Sequence, residues 1–458
     1  MYREFSQNAD AAVTRFEQML KSNQVYFFDA VEFETIIQYY IDSGEINLAK
    51  KALEMAINQH PFHSSLLLLK SEILIFEGEE NEANLLLDAI EDMEPSNEEV
   101  YIQKATILSK QKNHQAAIEF LFKALEFTDD HNEVWCLLAM EYMVLENYAE
   151  AKTYFRRCIE AEPEDFQVLY NLLFCLEYLK AHDEAIEILN GILETNPYNE
   201  IAWLEVGKQY LQQGKKDEAL SAFDFAIISE DTFIGAYIEK AKLLESIGKT
   251  NAAIEQYECA LKLEDPTSYI LVRIAHCHEK LGNDQLALQY FKKGVNHDPS
   301  YEKAWTGIID FYLAKGEAEK AHYYCEKALN INENYAAYWK RSALLNKTLE
   351  RYAEAEIAFQ NTIEMGNYEL LVWLEWLDTL IFLNEWEKAS SVGQQAKEFY
   401  PDQIELDFRI AGCFQKLGKS IEMEYYLQNV AQHSNDLDQE LLLKFPQLAR
   451  QINSSVRP

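Results

Sequence analysis

Apolar positions along this chain recur at one fixed interval. Ala49, Ala83, Ala117, Ala151, Ala185, Ala219, Ala253, Ala287, Ala321, Ala355 and Ala389 follow one another at steps of 34 residues without insertion or deletion, and the next step reaches Met423. With this residue as position 20 of a unit that first begins at Ala30, position 4 reads Phe33, Leu67, Tyr101, Trp135, Leu169, Trp203, Tyr237, Leu271, Trp305, Trp339, Trp373 and Asp407, so that five of the seven tryptophans fall there. Position 11 is mostly large, as in Tyr40, Leu74, Tyr142 and Phe414, with His278 and Asn346 as departures. Positions 4, 7, 8 and 11 share one face of a first helix, and positions 20, 24, 27 and 28 share one face of a second, both at the 3.6-residue period. The pattern predicts one helical hairpin per unit, hence twelve hairpins over residues 30–437.

Breaker residues keep the same register. Position 15 is glycine at Gly44, Gly78, Gly214, Gly248, Gly282, Gly316 and Gly418, where a positive φ would end the first helix. Position 32 is proline at Pro61, Pro95, Pro163, Pro197, Pro299 and Pro401, where it would stop the second. Small residues at position 8, such as Ala105, Gly207 and Ala343, face the alanine at position 20 and let the two backbones approach. Ile37, Leu173, Ile309 and Leu377 break that rule and leave the local helix spacing open.

These residues resemble the tetratricopeptide repeat family, whose 34-residue pattern runs W-x₂-L-G-x₂-Y, then A-x₃-F, then P. Residues 200–233 match it with Trp203, Val206, Gly207, Tyr210, Ala219, Phe223 and Ala226. The resemblance covers residues 30–437 and implies an all-α, right-handed superhelical solenoid of helical hairpins. Residues 1–29, with Val13, Phe16, Met19 and Leu20, and residues 438–458, with Leu441, Leu442, Phe445, Leu448 and Ile452, read as caps on the exposed ends of the array. Pro446 should kink or end the C-terminal cap, and Asn453 to Pro458 read as a frayed tail.

Composition narrows the function. The chain has 458 residues, 48% hydrophobic and with only 15 glycines and 9 prolines, which favours long helices over hairpin turns and phosphate loops. Its 77 acidic residues against 41 basic ones give a net charge of −36, a field that repels nucleic-acid phosphates and anionic lipid. No apolar run approaches the 18 residues of a membrane span, and residues 1–13 show no secretory leader, so neither secretion nor membrane insertion is expected. The seven cysteines are odd in number, sit inside helical patterns and form no C-x-x-C pair; they read as buried, reduced thiols in a cytoplasmic protein.

Candidate chemistry fails on inspection. Gly248-Lys249-Thr250 and Gly418-Lys419-Ser420 imitate the end of a P-loop, but Leu243 and Cys413 stand where the upstream glycine is required. His276 and His278 are two residues apart on a helix and point about 200° apart, so they cannot share a metal ion. No catalytic nucleophile, metal site or cofactor motif emerges, and the chain is expected not to be an enzyme.

The resemblance also implies a binding surface, because the family's concave groove is lined by positions 2, 5, 9, 12 and 13 of the first helices. Repeat four places Cys136, Met140, Met143 and Val144 there, and repeat five Tyr170, Phe174, Glu177 and Tyr178. Positions 5 and 12 also fit packing against the next repeat, so Cys136, Tyr170 and Met143 read first as core. Met140, Val144, Phe174 and Tyr178 are the sharper candidates. Repeats seven to nine offer a mixed polar lining that includes Lys242, Glu245, His276 and Asp310, before Leu374, Phe382 and Phe408 restore apolar character. The lysine and asparagine set by which some members grip chaperone carboxyl termini is missing: Lys340 is the only lysine at position 5, and Leu344 follows it at position 9. A second candidate surface is the run from Glu72 to Glu99, with eleven acids including Glu79, Glu80 and Glu82 and no lysine or arginine, which reads as a solvated face or as a steering surface for a basic partner. The expected function is a scaffold holding a protein or peptide segment in the groove, or else a sensor of a small ligand or free peptide coupled to superhelix pitch. Partner identity and oligomeric state have no sequence signal.

Overall fold

A computed structural model of the chain describes residues 2–22, 26–263, 267–432 and 439–455, with side chains described over 11–22, 26–263, 267–430 and 442–450. Its regular structure is α-helical, and no strand occurs among the described residues. The helices divide by proximity into two units, Met1–Ala222 and Phe223–Pro458.

In the first unit, α1 (Tyr2–Ser22) precedes the pairs α2 (Ala30–Asp42) and α3 (Ile46–Gln59), α4 (Ser64–Glu77) and α5 (Glu80–Met93), α6 (Glu98–Lys110) and α7 (His114–Leu125). Then come α8 (Asn132–Val144) and α9 (Tyr148–Ala161), α10 (Phe166–Tyr178) and α11 (His182–Thr195), and α12 (Glu200–Gln212). Helix α13 (Lys216–Ser229) begins in this unit and ends in the next. The second unit continues with α14 (Ile234–Ser246) and α15 (Thr250–Leu263), α16 (Ser268–Lys280) and α17 (Asp284–His297), α18 (Glu302–Ala314) and α19 (Ala318–Ile331). It closes with α20 (Ala336–Thr348) and α21 (Tyr352–Glu364), α22 (Leu370–Phe382) and α23 (Trp386–Phe399), α24 (Ile404–Lys416) and α25 (Ser420–Gln432), then the short α26 (Gln439–Lys444) and α27 (Pro446–Ser455). First helices of neighbouring hairpins touch one another, as α2 with α4, α4 with α6 and α16 with α18.

The turn inside each hairpin is set by one backbone conformation. Position 15 has a positive φ wherever it is glycine, from Gly44 at 73° to Gly418 at 72°. The five hairpins without glycine there adopt the same conformation with Lys112, Glu146, Lys180, Glu350 and Asn384, at φ between 56° and 62°. The cause is a shared hydrogen-bond pattern: the amide at position 16 returns to the carbonyl at position 11, as Glu45 N to Tyr40 O at 2.8 Å and Asn113 N to Leu108 O at 2.9 Å, which requires a left-handed residue between.

Packing follows the periodic face. Every position-20 alanine from Ala49 to Ala389 is fully buried. The large residues at position 8 are buried as well, and at Leu377 the volume is recovered across the hairpin, where position 24 is Gly393 instead of the usual large residue. A Cβ on Gly393 would lie 2.5 Å from Ile410 Cγ1 and 3.4 Å from Leu377 Cδ2, so the missing side chain is what admits its neighbours.

Proline at position 32 sits two residues past the second helix, beyond cap residues such as Asn196 and Asp298. Its carbonyl has a use that the sequence pattern did not suggest. Trp203 Nε1 donates to Pro197 O at 2.9 Å, Trp305 Nε1 to Pro299 O at 2.9 Å, and Tyr101 Oη to Pro95 O at 2.7 Å, and the same register joins Trp339 to Glu333 O and Tyr237 to Asp231 O. In these five hairpins the position-4 aromatic therefore ties the first helix to the loop before it. Trp373 breaks the series: α21 ends one residue early at Glu364, the loop turns through Gly366 at φ 87°, and the buried Trp373 Nε1 has no hydrogen-bond partner.

At the ends, Phe16 and Met19 of α1 are buried with Phe28 and Phe33, and Phe445 and Leu448 are buried against Phe408. Pro446 opens α27, where its missing N–H costs nothing. The expected fray at Asn453 is not seen, since α27 runs to Ser455; residues 456–458, and the side chains of Leu441 and Ile452, lie outside the described residues.

Candidate functional site

The structure places the apolar candidates on two successive first helices. On α8, Met140 and Val144 are exposed, and on α10 Tyr170, Phe174 and Tyr178 are exposed, Tyr178 at 61%. Positions 9 and 13 lie roughly one turn apart on one helix face, which brings each pair into line. Asn171 Nδ2 donates to Met140 Sδ at 3.7 Å and joins the two helices. Met143 and Cys136 are half-buried and pack against the hydrophobic core, whereas Tyr170, at 43% exposure, stays with the open set. Tyr148, which starts α9 and was not singled out from sequence, lays its ring 4.1 Å from that of Tyr178 and edge-on to Phe174. The same register repeats in the second unit, where Tyr352 lies 4.0 Å from Phe382. Phe408 does not belong with Phe382: it is fully buried under Phe445, because the C-terminal helices cover it.

Below the first patch, Cys136 Sγ lies 2.9 Å from Cys158 Sγ, a pairing across 22 residues that no sequence spacing rule announces. Hydrogen bonding to Cys158 lowers the Cys136 pKa, while that bond and burial raise Cys158. All seven cysteines are free thiols.

The polar first-helix positions of the second unit satisfy one another. Arg341 holds Asp310 through Nε and Nη2 at 2.7 and 2.5 Å, and Arg409 holds Asp378 at 2.9 Å through both nitrogens, in each case position 6 gripping position 9 of the preceding first helix. Glu245 receives Arg273 at 2.5 Å and Lys280 at 2.7 Å, and its pKa is lowered because these cations outweigh its desolvation. Lys242 pairs with Glu239, and His276 Nδ1 sits 2.8 Å from Glu279. His278 is buried against Tyr290, and burial lowers its pKa. No group of three or more metal-ligating side chains occurs among the described residues.

The acidic run is less open than its sequence suggests. Glu79, Glu80 and Glu82 stand at the start of α5, where negative charge complements the helix dipole, and Gln111 donates to Glu80 at 2.7 Å. Lysines from outside the run neutralise other members: Lys104 reaches Asp88 at 2.6 Å and Glu91 at 2.5 Å, and Lys50 pairs with Glu77. Glu72 and Glu99 behave differently. They face a cavity of about 690 Å³ lined by α2, α4 and α6, together with Glu34, Asp42 and Gln103, and with Leu68, Leu69 and Tyr39 as its apolar wall. These residues occupy positions 2, 5, 6, 9, 10 and 13 of the first three hairpins. Writing those positions out for the first three hairpins, as for later ones, would have exposed the acid cluster.

A model of the tetratricopeptide repeat matches residues 98–131, 133–165, 234–266 and 268–301. The first, third and fourth matches start on the first residues of α6, α14 and α16, in the 34-residue register, and the second starts one residue inside α8. The chain contains tetratricopeptide repeats. Among curated proteins, anaphase-promoting complex subunit 3 of Schizosaccharomyces pombe is 21% identical to this repeat protein over 282 residues, which is 62% of this chain and 37% of the relative. The chain thus matches well under half the length of that relative. Among solved structures, the anaphase-promoting complex heterotetramer Cut9–Hcn1 aligns over 89% of this chain and 94% of the other at 16% identity and a TM-score of 0.36. A tetratricopeptide repeat protein from Parabacteroides merdae aligns over 54% and 98% at 15% identity and a TM-score of 0.39. Among the described residues, no helix of this repeat protein is long and apolar enough to cross a membrane.

Proposed function

We propose that this repeat protein is a non-catalytic interaction scaffold, placed in the cytoplasm, that holds an extended segment of another protein along the groove formed by its first helices. The observation that carries the reading is the exposed set Met140, Val144, Tyr170, Phe174 and Tyr178, five large apolar side chains on adjacent helices of a chain with net charge −36. Aromatic and methionine side chains that remain open on a charged surface supply buried contact area on binding. Met143 completes the patch from below. The named relative is a subunit of a multiprotein complex, which supports an assembly role. With this function goes a division into an N-terminal cap over 1–29, repeats over 30–437 and a C-terminal cap over 438–458, the caps closing ends that would otherwise expose apolar faces.

The test begins with affinity purification of the full chain and identification of a stoichiometric protein. Phe174→Ala combined with Met140→Ala should then weaken that partner by about 2 kcal/mol or more, with little salt dependence and unchanged helicity. Wild-type affinity in the double variant would remove the apolar patch as the site. If instead the exposed acids carry recognition, replacing Glu79, Glu80 and Glu82 by Gln slows association and added salt mimics the change.

A further inference from the structure

Hairpin four carries two of the chain's seven cysteines, and the geometry of the repeat sets them opposite each other. Cys136 is position 5, on α8, and Cys158 is position 27, on α9. In hairpin eight the same two positions hold Val272 and Gly294, and a Cβ on Gly294 would lie 3.4 Å from Val272 Cγ2 and 3.7 Å from Ser268 O. Cys158 Sγ likewise lies 3.6 Å from Asn132 O, and Asn132 and Ser268 are both position 1. The juxtaposition is therefore a property of the hairpin backbone and not of one side-chain rotamer. No other hairpin has a cysteine at either place: position 27 is most often alanine, as at Ala56, Ala124 and Ala226, and the remaining cysteines stand at positions 10, 24 and 26.

The two thiols differ in the way that a reactive pair requires. Their sulfurs are 2.9 Å apart, and closing them to the roughly 2.05 Å of a disulfide takes a movement of less than about 1 Å. Cys136 is half-buried, one helical turn before the exposed Met140, whereas Cys158 is 1% exposed. A dissolved oxidant meets Cys136 first, with Cys158 waiting behind it. Hydrogen bonding from Cys158 favours the Cys136 thiolate, against burial and the nearby carboxylates of Asp165, Glu162 and Glu133. Cys175 and Cys277 are buried and their thiols are pushed up to about 11, and Cys325 and Cys413 up to about 12, which makes them poor nucleophiles.

We propose that Cys136 and Cys158 are a redox modification site, which closes to a reversible disulfide and thereby fixes α8 to α9 beneath the exposed Met140 and Val144. With hydrogen peroxide as the oxidant, the Cys136 thiolate attacks one peroxide oxygen. An S–O bond forms, the O–O bond breaks, and the departing hydroxide takes up the proton that Cys136 released, leaving water and a sulfenic acid. Cys158 Sγ then attacks Cys136 Sγ. The S–S bond forms, the S–O bond breaks, and the second hydroxide takes the Cys158 proton as water. Two thiols lose two electrons in all, and one peroxide gains them. The surroundings give the bond its effect. Helix α8 follows a helix that ends at Leu125, its N-cap residue His131 makes no side-chain capping bond, and Asn132 Oδ1 is buried without a partner. A covalent tie one turn into α8 closes a 22-residue loop through the left-handed turn at Glu146 and limits local opening of the hairpin. In a reducing compartment such a bond is transient and reports oxidation.

The full chain, reduced and freed of reductant, is treated with a small excess of hydrogen peroxide. Remaining thiols are then blocked with N-ethylmaleimide under denaturing conditions and the peptides identified by mass spectrometry. Wild type should show two fewer blocked thiols than its seven, one cross-link joining residues 136 and 158 within a single chain, and recovery of all seven with dithiothreitol. Cys158→Ala, which installs the usual residue of position 27, should hold Cys136 as a sulfenic acid that dimedone labels, at least about tenfold more than in wild type. Hydrogen exchange at residues 132–144 should slow at least about threefold on oxidation of wild type and stay unchanged in treated Cys158→Ala. Cys136→Ser should leave Cys158 reduced, and decides should Cys158→Ala fail to fold. Survival of all seven thiols overturns the proposal, as does Cys136 passing to sulfinic acid without joining Cys158. So do cross-links to other cysteines or between chains, oxidation of the half-buried Cys259 as fast as Cys136, and unchanged exchange in the cross-linked chain. No readout involves a partner, so failure here leaves the patch at Phe174 standing, and failure of that patch leaves this pair standing.

Discussion

Five hairpins turn through a left-handed residue that is not glycine, and this makes a stability prediction that contacts alone would not suggest. Lys112, at φ 62°, is exposed, and the bonds around it, Lys112 N to Ser109 O and Asn113 N to Leu108 O at 2.9 Å each, are made by backbone that any residue supplies. A non-glycine residue in this conformation is disfavoured by roughly 1–2 kcal/mol through its Cβ. Glycine removes that cost but loses more chain entropy on folding, roughly 0.5–1 kcal/mol. The first effect exceeds the second, so Lys112→Gly should stabilise its hairpin by about 0.5–1 kcal/mol. The reverse change, Gly282→Ala, should cost a similar amount, and the geometry there isolates the backbone effect because a Cβ on Gly282 meets no atom within 4 Å. In a repeat array such effects stay close to their origin. Hydrogen exchange read by mass spectrometry should show protection at residues 105–120 rising about two- to fivefold in Lys112→Gly and protection at residues 275–290 falling by a like factor in Gly282→Ala. Unchanged or reduced protection in Lys112→Gly would refute the reasoning, since it would mean that the lysine side chain contributes more than its backbone conformation costs.

Trp305→Phe should cost about 1 kcal/mol more than Trp373→Phe in urea unfolding, because the first loses the bond to Pro299 O and the second removes a buried N–H that has no partner; equal costs would contradict the role of the position-32 carbonyl. Glu99 supplies a pH test. Burial and neighbouring acids raise its folded pKa to about 7, above its unfolded value, so the stability linked to its protonated form is present below about pH 4.5 and is lost as pH rises through 7. Glu99→Gln, a mimic of the protonated form, should match wild type near pH 4 and exceed it at pH 8 in urea midpoint, and a constant difference across that range would argue against the shift.

What the chain determined by itself was whatever depends on near neighbours. The alanines at position 20, the aromatic residues at position 4 and the glycines at position 15 state a 34-residue helical hairpin because helix faces and turn conformations are local properties, read at spacings of three, four and seven. Even the turns at Lys112, Glu146, Lys180, Glu350 and Asn384 could be placed from register alone, though nothing in those residue types announces a left-handed backbone. The candidate surfaces were legible to the extent that they follow position number: Met140, Val144, Phe174 and Tyr178 are exposed where the register puts them. Contacts between neighbouring helices were not legible, because periodicity within one helix does not say which of its side chains meet those of another. The pairing of Cys136 with Cys158, the tilt of Tyr148 onto Tyr178, the burial of Phe408 under Phe445 and the accommodation of Leu377 beside Gly393 were decided by packing in three dimensions. The charges show the division most clearly. An uninterrupted acidic run reads as one surface, yet Lys104 and Lys50 reach in from other helices to neutralise part of it, while Glu72 and Glu99 line a cavity with Glu34 and Asp42, because electrostatic partners are chosen by distance through space and not by distance along the chain.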